Sequence, residues 1–170
     1  MFGTDLTFPM QHQYQTHWCW AATAVSTAAY YDAASPWIQC LVVDDEFGTT
    51  TCCEDGSTAE CNKRWYLDRA LKRVGHYVKD EAGPAPLRPT VVGEIDAHRP
   101  LAAQIDWSGG GTHFPVVSGY AEIPLGDEFP YIERWLTIQD PAYGQSAVEY
   151  DTFRTAYQGS GSWTWTYYTG

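Results

Sequence analysis

Residues 13–31 read Gln-Tyr-Gln-Thr-His-Trp-Cys-Trp-Ala-Ala-Thr-Ala-Val-Ser-Thr-Ala-Ala-Tyr-Tyr, and this stretch determines which fold and chemistry the rest of the chain is expected to support. From Trp20 onward the frequent alanines favour a helix, and Val25 gives it an apolar anchor. Cys19 then lies in the first turn, where unpaired N–H groups and the helix dipole favour a thiolate. Cys19 is therefore a candidate nucleophile. The alternative is a buried structural cysteine.

Composition indicates a single globular domain. The chain has 170 residues, of which 44% are hydrophobic and 15% aromatic, which is enough for a proper core. Its formal net charge of -11 argues against nucleic acid as a partner, because such binding depends on Lys and Arg neutralising phosphates. We expect no membrane span, since no apolar run approaches about 20 residues. Residues 1–7 also lack the basic and then apolar pattern of a signal peptide.

Four of the five cysteines form a cluster apart from Cys19: Cys40, Cys52, Cys53 and Cys61. They can form two disulfides in three connectivities, or they can bind a zinc ion. Adjacent cysteines cannot easily face one metal, so disulfides are favoured, and a direct bridge between neighbours ranks last. An oxidised cluster beside one free thiol is typical of an enzyme with a catalytic cysteine.

The rest of the chain predicts a helical first half and an antiparallel second half. A capping box at Ser57 and Glu60 predicts a helix from there to about Val74, and the proline-rich residues 80–89 mark a border. Further helices are predicted at 90–97 and 151–157, and strands at 101–107, 113–120, 135–139, 147–150 and 162–168. The short run 37–43 fits either a strand or a helical turn. The class predicted is α+β.

Two residues of the second half can complete a nucleophilic site with Cys19. His113 opens a strand after three glycines, and Asp140 ends a strand before a proline. A thiolate needs a base, and the base needs a third group to orient its ring. His17 remains an alternative base because it is near Cys19. Asp106 and Asp127 remain alternatives to Asp140 as the orienting group.

The ordered set Gln13, Cys19, His113 and Asp140 resembles the active site of papain-like cysteine peptidases, in particular a small bacterial branch that includes the AvrRpt2-type effector proteases. The resemblance rests on Gln-x5-Cys-Trp-Ala-Ala and on segments 107–113, 140–144 and 157–163. It implies that Cys19 is the nucleophile, His113 the base and Asp140 the orienting group. The Gln13 side chain and the Cys19 N–H would form the oxyanion hole, and no metal or organic cofactor is needed.

Three features qualify that assignment of residues. Gln11 and Gln15 are alternatives to Gln13, which only the spacing favours. Papain itself has asparagine where this chain has Asp140, and an insertion at 122–134 lengthens the segment between the base and the orienting group.

The resemblance also implies a fold. Residues 1–170 would form a single two-lobed domain, with a helical lobe at about 1–89, a β-sheet lobe at about 90–170 and the active site in the cleft between them. The similar bacterial proteases carry a comparable Cys…Cys-Cys…Cys-Asn pattern, matched here by the clustered cysteines and Asn62. The pairing favoured on this basis joins Cys61 to Cys52 or Cys53 and leaves Cys40 for the other.

The function implied is that of a cysteine endopeptidase that hydrolyses a protein or peptide substrate. We expect a bacterial effector or toxin that is secreted or delivered by a specialised secretion system, with a cognate inhibitor or immunity protein as a further partner. A triad-based acyl transferase, such as a transglutaminase or deamidase, uses the same residues with a different acceptor. A non-catalytic binding module with a zinc-bound cysteine cluster is the alternative from another class.

Overall fold

The computed structural model describes residues 1–126 and 131–170. These residues form one antiparallel sheet of eight strands with five short α-helices. The strands are β1 (Phe2–Asp5), β2 (Tyr77–Ala82), β3 (Leu101–Trp107), β4 (Thr112–His113), β5 (Val116–Leu125), β6 (Tyr131–Asp140), β7 (Gly144–Glu149) and β8 (Gly161–Thr169). The helices are α1 (Cys19–Tyr31), α2 (Gln39–Phe47), α3 (Leu67–Val74), α4 (Val92–Asp96) and α5 (Tyr150–Ala156). A π-helical turn (Leu87–Val91) leads into α4.

The strand order is β2-β8-β3-β5-β6-β7, with β1 beside β5 and β4 beside β3. Strand β5 is therefore the neighbour of both β3 and β6. In this register Val116 opposes Gln139. The end of β6 and the segment just before β5 consequently meet at one edge of the sheet.

Helices cover both faces of the sheet. Side chains alternate between the faces along each strand, so Ala102 and Tyr167 pack with the core around α1, α2 and α3. Their neighbours Leu101 and Tyr168 pack with the core around α4 and α5. The sheet is thus the central layer between two helical layers.

Helix α1 is buried on nearly all sides, because it lies between the sheet and the helices α2 and α3. Its alanines allow this close approach. Its polar side chains are hydrogen bonded, as burial requires: Thr23 donates to the Phe114 carbonyl at 2.5 Å, and Ser26 accepts from the Gln11 N–H at 2.9 Å. These two bonds fix the helix to the sheet and to the loop before it.

The prediction of a two-lobed papain-like arrangement is wrong, although the α+β class is compatible with the structure. Residues 1–89 do not form a helical lobe, because β1 pairs with β5 and β2 pairs with β8. Strands from both halves of the chain therefore belong to one sheet, and α1 packs directly on that sheet. No cleft between a helical and a β-sheet lobe results in the described residues.

Local predictions fared unevenly. The helix at 19–31 and the strands of the second half are confirmed, and 37–43 leads into α2. The helix predicted from Ser57 is wrong, because residues 57–62 form turns, residues 63–66 have no regular structure and α3 begins only at Leu67. Ser57 instead donates its N–H and hydroxyl to Asp55. Among the described residues, no helix is long and apolar enough to cross a membrane.

Candidate active site

Cys19 is the first residue of α1 and the one free cysteine, since the other four are bridged. Its side chain is only 6% exposed. The first N–H groups of a helix have no partner within the helix, and among residues 1–126 and 131–170 no acceptor takes the Cys19 N–H. The thiol and a free backbone donor therefore lie together at the helix terminus.

His113 and Asp140 are hydrogen bonded, with 2.8 Å between Nε2 of the ring and Oδ1 of the carboxylate. His113 lies on β4, immediately before β5, and Asp140 ends β6. Because β5 and β6 are neighbours, the sheet brings the two side chains together across 27 residues of sequence. Both are buried, at 6% and 2% exposure.

Asp140 is held by further donors on both carboxylate oxygens. Oδ1 accepts the backbone N–H groups of Ala142 and Tyr143 at 2.7 and 2.9 Å. Oδ2 accepts the hydroxyl of Tyr157 at 2.8 Å. A buried carboxylate with this many donors is fixed in orientation and favoured in its ionised form.

The electrostatics of the site favour a charged imidazole. Burial alone would lower the pKa of His113, but the hydrogen bond to Asp140, the nearby Cys19 and the attraction of their negative charges raise the pKa to about 9. Burial would likewise raise the pKa of Asp140, yet the bond to His113 and its charge lower it below its usual value. His113 is therefore protonated and Asp140 ionised at neutral pH. Since Nε2 faces Asp140, the other ring nitrogen is left for the thiol.

Aromatic rings enclose the His113 imidazole on two sides. Trp107 stacks on it with ring centroids 5.9 Å apart, and Tyr143 approaches edge-on at 6.0 Å. These rings limit the access of water to the His113–Asp140 bond, which strengthens it.

Gln13 lies in the same cavity as Cys19 and His113. Its side-chain amide donates to the carbonyls of Gln15 and Thr16, both at 3.0 Å. Its Oε1 is buried and has no donor among the described residues. Gln13 thus lies near Cys19 and His113, but its side-chain N–H groups are directed into its own loop, so its oxyanion role stays a prediction.

The loop that carries Gln13 is anchored from several directions. The Gln13 N–H donates to the Pro141 carbonyl at 2.8 Å, which joins the loop to the turn after Asp140. Buried Gln39 of α2 accepts the Tyr14 N–H and donates to the His12 carbonyl, both at 2.9 Å.

Asn62 fixes the other end of this loop. Its side chain accepts the His17 N–H and donates to the Thr16 hydroxyl, both at 2.9 Å. The indole of Trp18 donates to the Cys61 carbonyl at 2.9 Å. The segment after Cys61 therefore sets the position from which α1 and its thiol begin.

The clustered cysteines form two disulfides, Cys40–Cys53 and Cys52–Cys61. This is one of the two pairings that the resemblance favoured. All four sulfur atoms are used, so the zinc alternative has no thiolates to offer. Each bridge ends beside an anchor of the loop before Cys19, because Cys40 follows Gln39 and Cys61 precedes Asn62.

The alternative residues occupy other places. Asp106 accepts hydrogen bonds from Gln104, Thr112 and Thr164 rather than from His113. Asp127 lies outside the described residues. The alternative glutamines do not line the cavity: Gln11 and Gln15.

His17, the alternative base, lines the same cavity as Cys19 and His113. It is not the hydrogen-bonded base, because Asp140 orients His113.

Two cavities flank the thiol and share Cys19, Arg64 and Thr112. One has about 230 Å³ and a largely polar lining: Gln13, Thr16, His17, Trp107, His113, Ala142 and Tyr143. The other has about 210 Å³ and a largely apolar lining: Trp20, Trp65, Tyr66, Gln104, Phe114 and Tyr167. A larger cavity of about 360 Å³ lies over β6 and β7 around Trp135, at the opposite end of β6 from Asp140. Its lining contains no nucleophile. Because reactive groups are required, we assign the site to the pair around Cys19.

Sequence reasoning missed four residues of this site: Gln39, Asn62, Arg64 and Tyr157. Asn62 and Tyr157 stood in segments noted only for their resemblance, with no role attached. A distant side-chain hydrogen bond, such as the one from Tyr157 to Asp140, leaves no periodic signal in a single sequence.

Neither a scan against models of protein families nor a search of curated proteins finds a match to this chain. The case for a function therefore rests on the geometry and chemistry of these residues.

Proposed function

We propose that this chain is a cysteine peptidase in which Cys19 is the nucleophile, His113 the acid and base, and Asp140 the group that orients His113. The observation that carries the proposal is the buried His113–Asp140 bond of 2.8 Å, whose imidazole lines the same cavity as the free thiol of Cys19 at a helix N terminus. The residues and their order are those of papain-like peptidases, although the two-lobed architecture is not.

The reaction proposed is acyl transfer to water. The Cys19 thiolate attacks a peptide carbonyl, and its sulfur forms a thioester as the peptide C–N bond breaks. Protonated His113 gives its proton to the leaving amine, then takes one from the water that hydrolyses the thioester.

The oxyanion is expected to bind the Cys19 N–H, which is free and lies at a helix N terminus. The Gln13 side-chain amide would be the second donor to the oxyanion, and for this it must give up one of its two hydrogen bonds to loop carbonyls. The backbone donor is the better supported of the two, because both bonds of the Gln13 amide group already go to the loop.

The setting proposed is extracellular. Disulfides persist in oxidising compartments, so the two bridges suit a secreted protein. Delivery as a bacterial effector or toxin, action on a specific protein and neutralisation by a cognate inhibitor or immunity protein all belong to the proposal.

The test compares the purified protein with Cys19→Ala. Both are incubated with a diverse peptide library and with E-64, an epoxide that traps nucleophilic cysteines, and the products are analysed by mass spectrometry. We expect cleaved peptides and an E-64 adduct on Cys19 in the wild type, and neither in the variant. An adduct with intact but mass-shifted substrates would instead indicate an acyl transferase. Absence of both signals would contradict the proposal.

A further inference from the structure

Arg64 lies where the two cavities around Cys19 meet, and it lines both of them. It belongs to the segment that follows the Cys52–Cys61 bridge, two residues after Asn62, which anchors the loop before Cys19. Its side chain is exposed. The guanidinium is therefore accessible to a molecule that enters either cavity.

Gly111 provides the space for this guanidinium. A Cβ atom at Gly111 would lie 3.0 Å from Nη2 and 3.3 Å from Cζ of Arg64. Gly111 also has φ near +102°, a conformation that other residues rarely adopt. The turn before β4 thus leaves room for the arginine head group beside the reaction centre.

The charge of Arg64 is not neutralised by a carboxylate. Four of the other six arginines form ion pairs with acidic side chains: Arg73, Arg88, Arg99 and Arg154. Within the described residues Arg69 and Arg134, like Arg64, form none. No carboxylate of residues 1–126 and 131–170 lies within 4.0 Å of the Arg64 guanidinium. This is notable in a chain with 21 acidic and 10 basic residues.

The walls of both cavities are also free of acidic side chains in the described residues. A second group that can carry positive charge, His17, lines the polar cavity. The nearby Asp106 is tied to Thr112 and Thr164. Negative charge instead acts at Tyr167 in the wall of the apolar cavity, where burial and three aspartates raise the pKa of the phenol: Asp68, Asp80 and Asp106.

We propose that Arg64 is a specificity residue that selects substrates with a carboxylate next to the scissile bond, as an Asp or Glu side chain within one residue of it. An arginine fork binds a carboxylate through two parallel charge-assisted hydrogen bonds. Because both cavities share Arg64, it is accessible to a side chain on either side of the bond attacked by Cys19. This inference rests on the proposed peptidase function, but it adds the chemical class of substrate.

The experiment uses matched peptides that differ only in carrying Glu, Gln or Lys beside the cleavage site. The wild type is compared with Arg64→Gln, Arg64→Glu and the control Arg154→Gln, which removes an arginine of α5 that lines neither cavity. We expect the wild type to cleave Glu peptides about tenfold to a hundredfold faster than Gln peptides in kcat/KM. Arg64→Gln should abolish this preference, Arg64→Glu should shift it toward Lys, and the control should retain it.

Each other outcome overturns the inference. Equal cleavage of Glu and Gln peptides by the wild type, or a wild-type preference for Lys, would do so while the peptidase function stood. A Glu preference that survives in Arg64→Gln would assign the selectivity elsewhere. If wild-type Cys19 neither cleaves any peptide nor reacts with E-64, the proposed function fails and the inference fails with it. If one Arg64 variant does not fold, the other carries the comparison, and a wild type without a Glu preference overturns the inference without either.

Discussion

The two halves of the candidate site are built by different means. His113 lies on β4, where pairing with β3 fixes its backbone, and Asp140 ends β6, where pairing with β7 fixes its backbone. Cys19 follows a loop that has no regular structure, and this loop is held by the side-chain amides of Gln39 and Asn62. The sheet therefore places the base, while crosslinks and side-chain anchors place the nucleophile, and each half can be disturbed separately.

The largest effect is expected from Asp140→Ala. This change damages the strand half of the site, by which we mean His113 and Asp140. Without the carboxylate, the main interaction that raises the pKa of His113 is lost, so the ring loses its orienting partner and its pKa falls. We expect kcat/KM to fall by about 100-fold or more, while a ring titration by NMR should give a lower pKa for His113. Asp45→Ala, an exposed change on α2, is the control. Activity within a few-fold of wild type would remove Asp140 from the site.

The loop half of the site, which is Cys19 and the loop before it, is tested by replacing both cysteines of one disulfide at a time. Cys52→Ser with Cys61→Ser, and Cys40→Ser with Cys53→Ser, should each lower the free energy of unfolding by about 3 kcal/mol. Activity should differ: the first variant should lose about tenfold in kcat/KM, because Asn62 lies in a segment of turns. The second should lose only a few-fold, because Gln39 is supported by α2. Assays belong at a temperature where both variants are folded. Equal losses of activity would contradict the comparison.

The free energy of unfolding should fall at alkaline pH because His113, in the strand half, loses its proton. The pKa of His113 is about 9 in the folded state and about 6.5 for a free imidazole. Its contribution to stability is therefore complete below about pH 6.5 and is lost as the pH rises through about 9, amounting to at most about 3 kcal/mol. Urea unfolding across this range should show the loss in the wild type and less of it in His113→Gln. Parallel curves for both proteins would refute this assignment.

Asn62→Ala tests a single side-chain anchor of the loop half. It removes the acceptor for the His17 N–H and the donor to the Thr16 hydroxyl. Loss of these bonds should destabilise the fold by about 1–2 kcal/mol and lower kcat/KM several-fold by loosening the start of α1. Ser57→Ala, whose hydroxyl bonds only within its own turn to Asp55, should leave activity unchanged. The two unfolding curves and rates can be measured side by side, and equal activities would argue against the anchor.

The smallest effect is expected from Tyr157→Phe. The change leaves Oδ2 of Asp140 buried without its hydroxyl donor, but three of its four hydrogen bonds remain. We expect a destabilisation of about 1 kcal/mol and a loss of a few-fold in kcat. The pH profile should move as well, since Asp140 without the Tyr157 donor is more basic and holds the His113 proton more strongly. An unshifted profile would mean that Tyr157 serves packing alone.

Sequence patterns predicted the elements whose signal is local. The alanine-rich helix at Cys19–Tyr31 and the alternating strands were found because their periodicity lies within a few residues. The capping box at Ser57 failed because Asp55 takes its N–H and hydroxyl, and because the Cys52–Cys61 bridge holds this segment in turns.

The sequence signal was weakest for the edges of the sheet. Strands β1 and β2 are short and mostly exposed, so neither shows a clear apolar alternation. Missing them produced the wrong two-lobed arrangement. More of the candidate site could be predicted, because the sequence itself shows the order of Cys19, His113 and Asp140. Contacts made by single distant side chains, such as those of Arg64 and Tyr157, could not be predicted from it.

The position of β8 has a consequence for the time at which the site forms during synthesis. This strand lies between β2 and β3 and supplies ladder partners to both. Until residues 161–169 have left the ribosome, the sheet cannot close, and such distant pairings form slowly. His113 lies on β4, whose partner is β3. We therefore expect the nascent chain to carry Cys19 without its base, and the two to meet only when the sheet is complete.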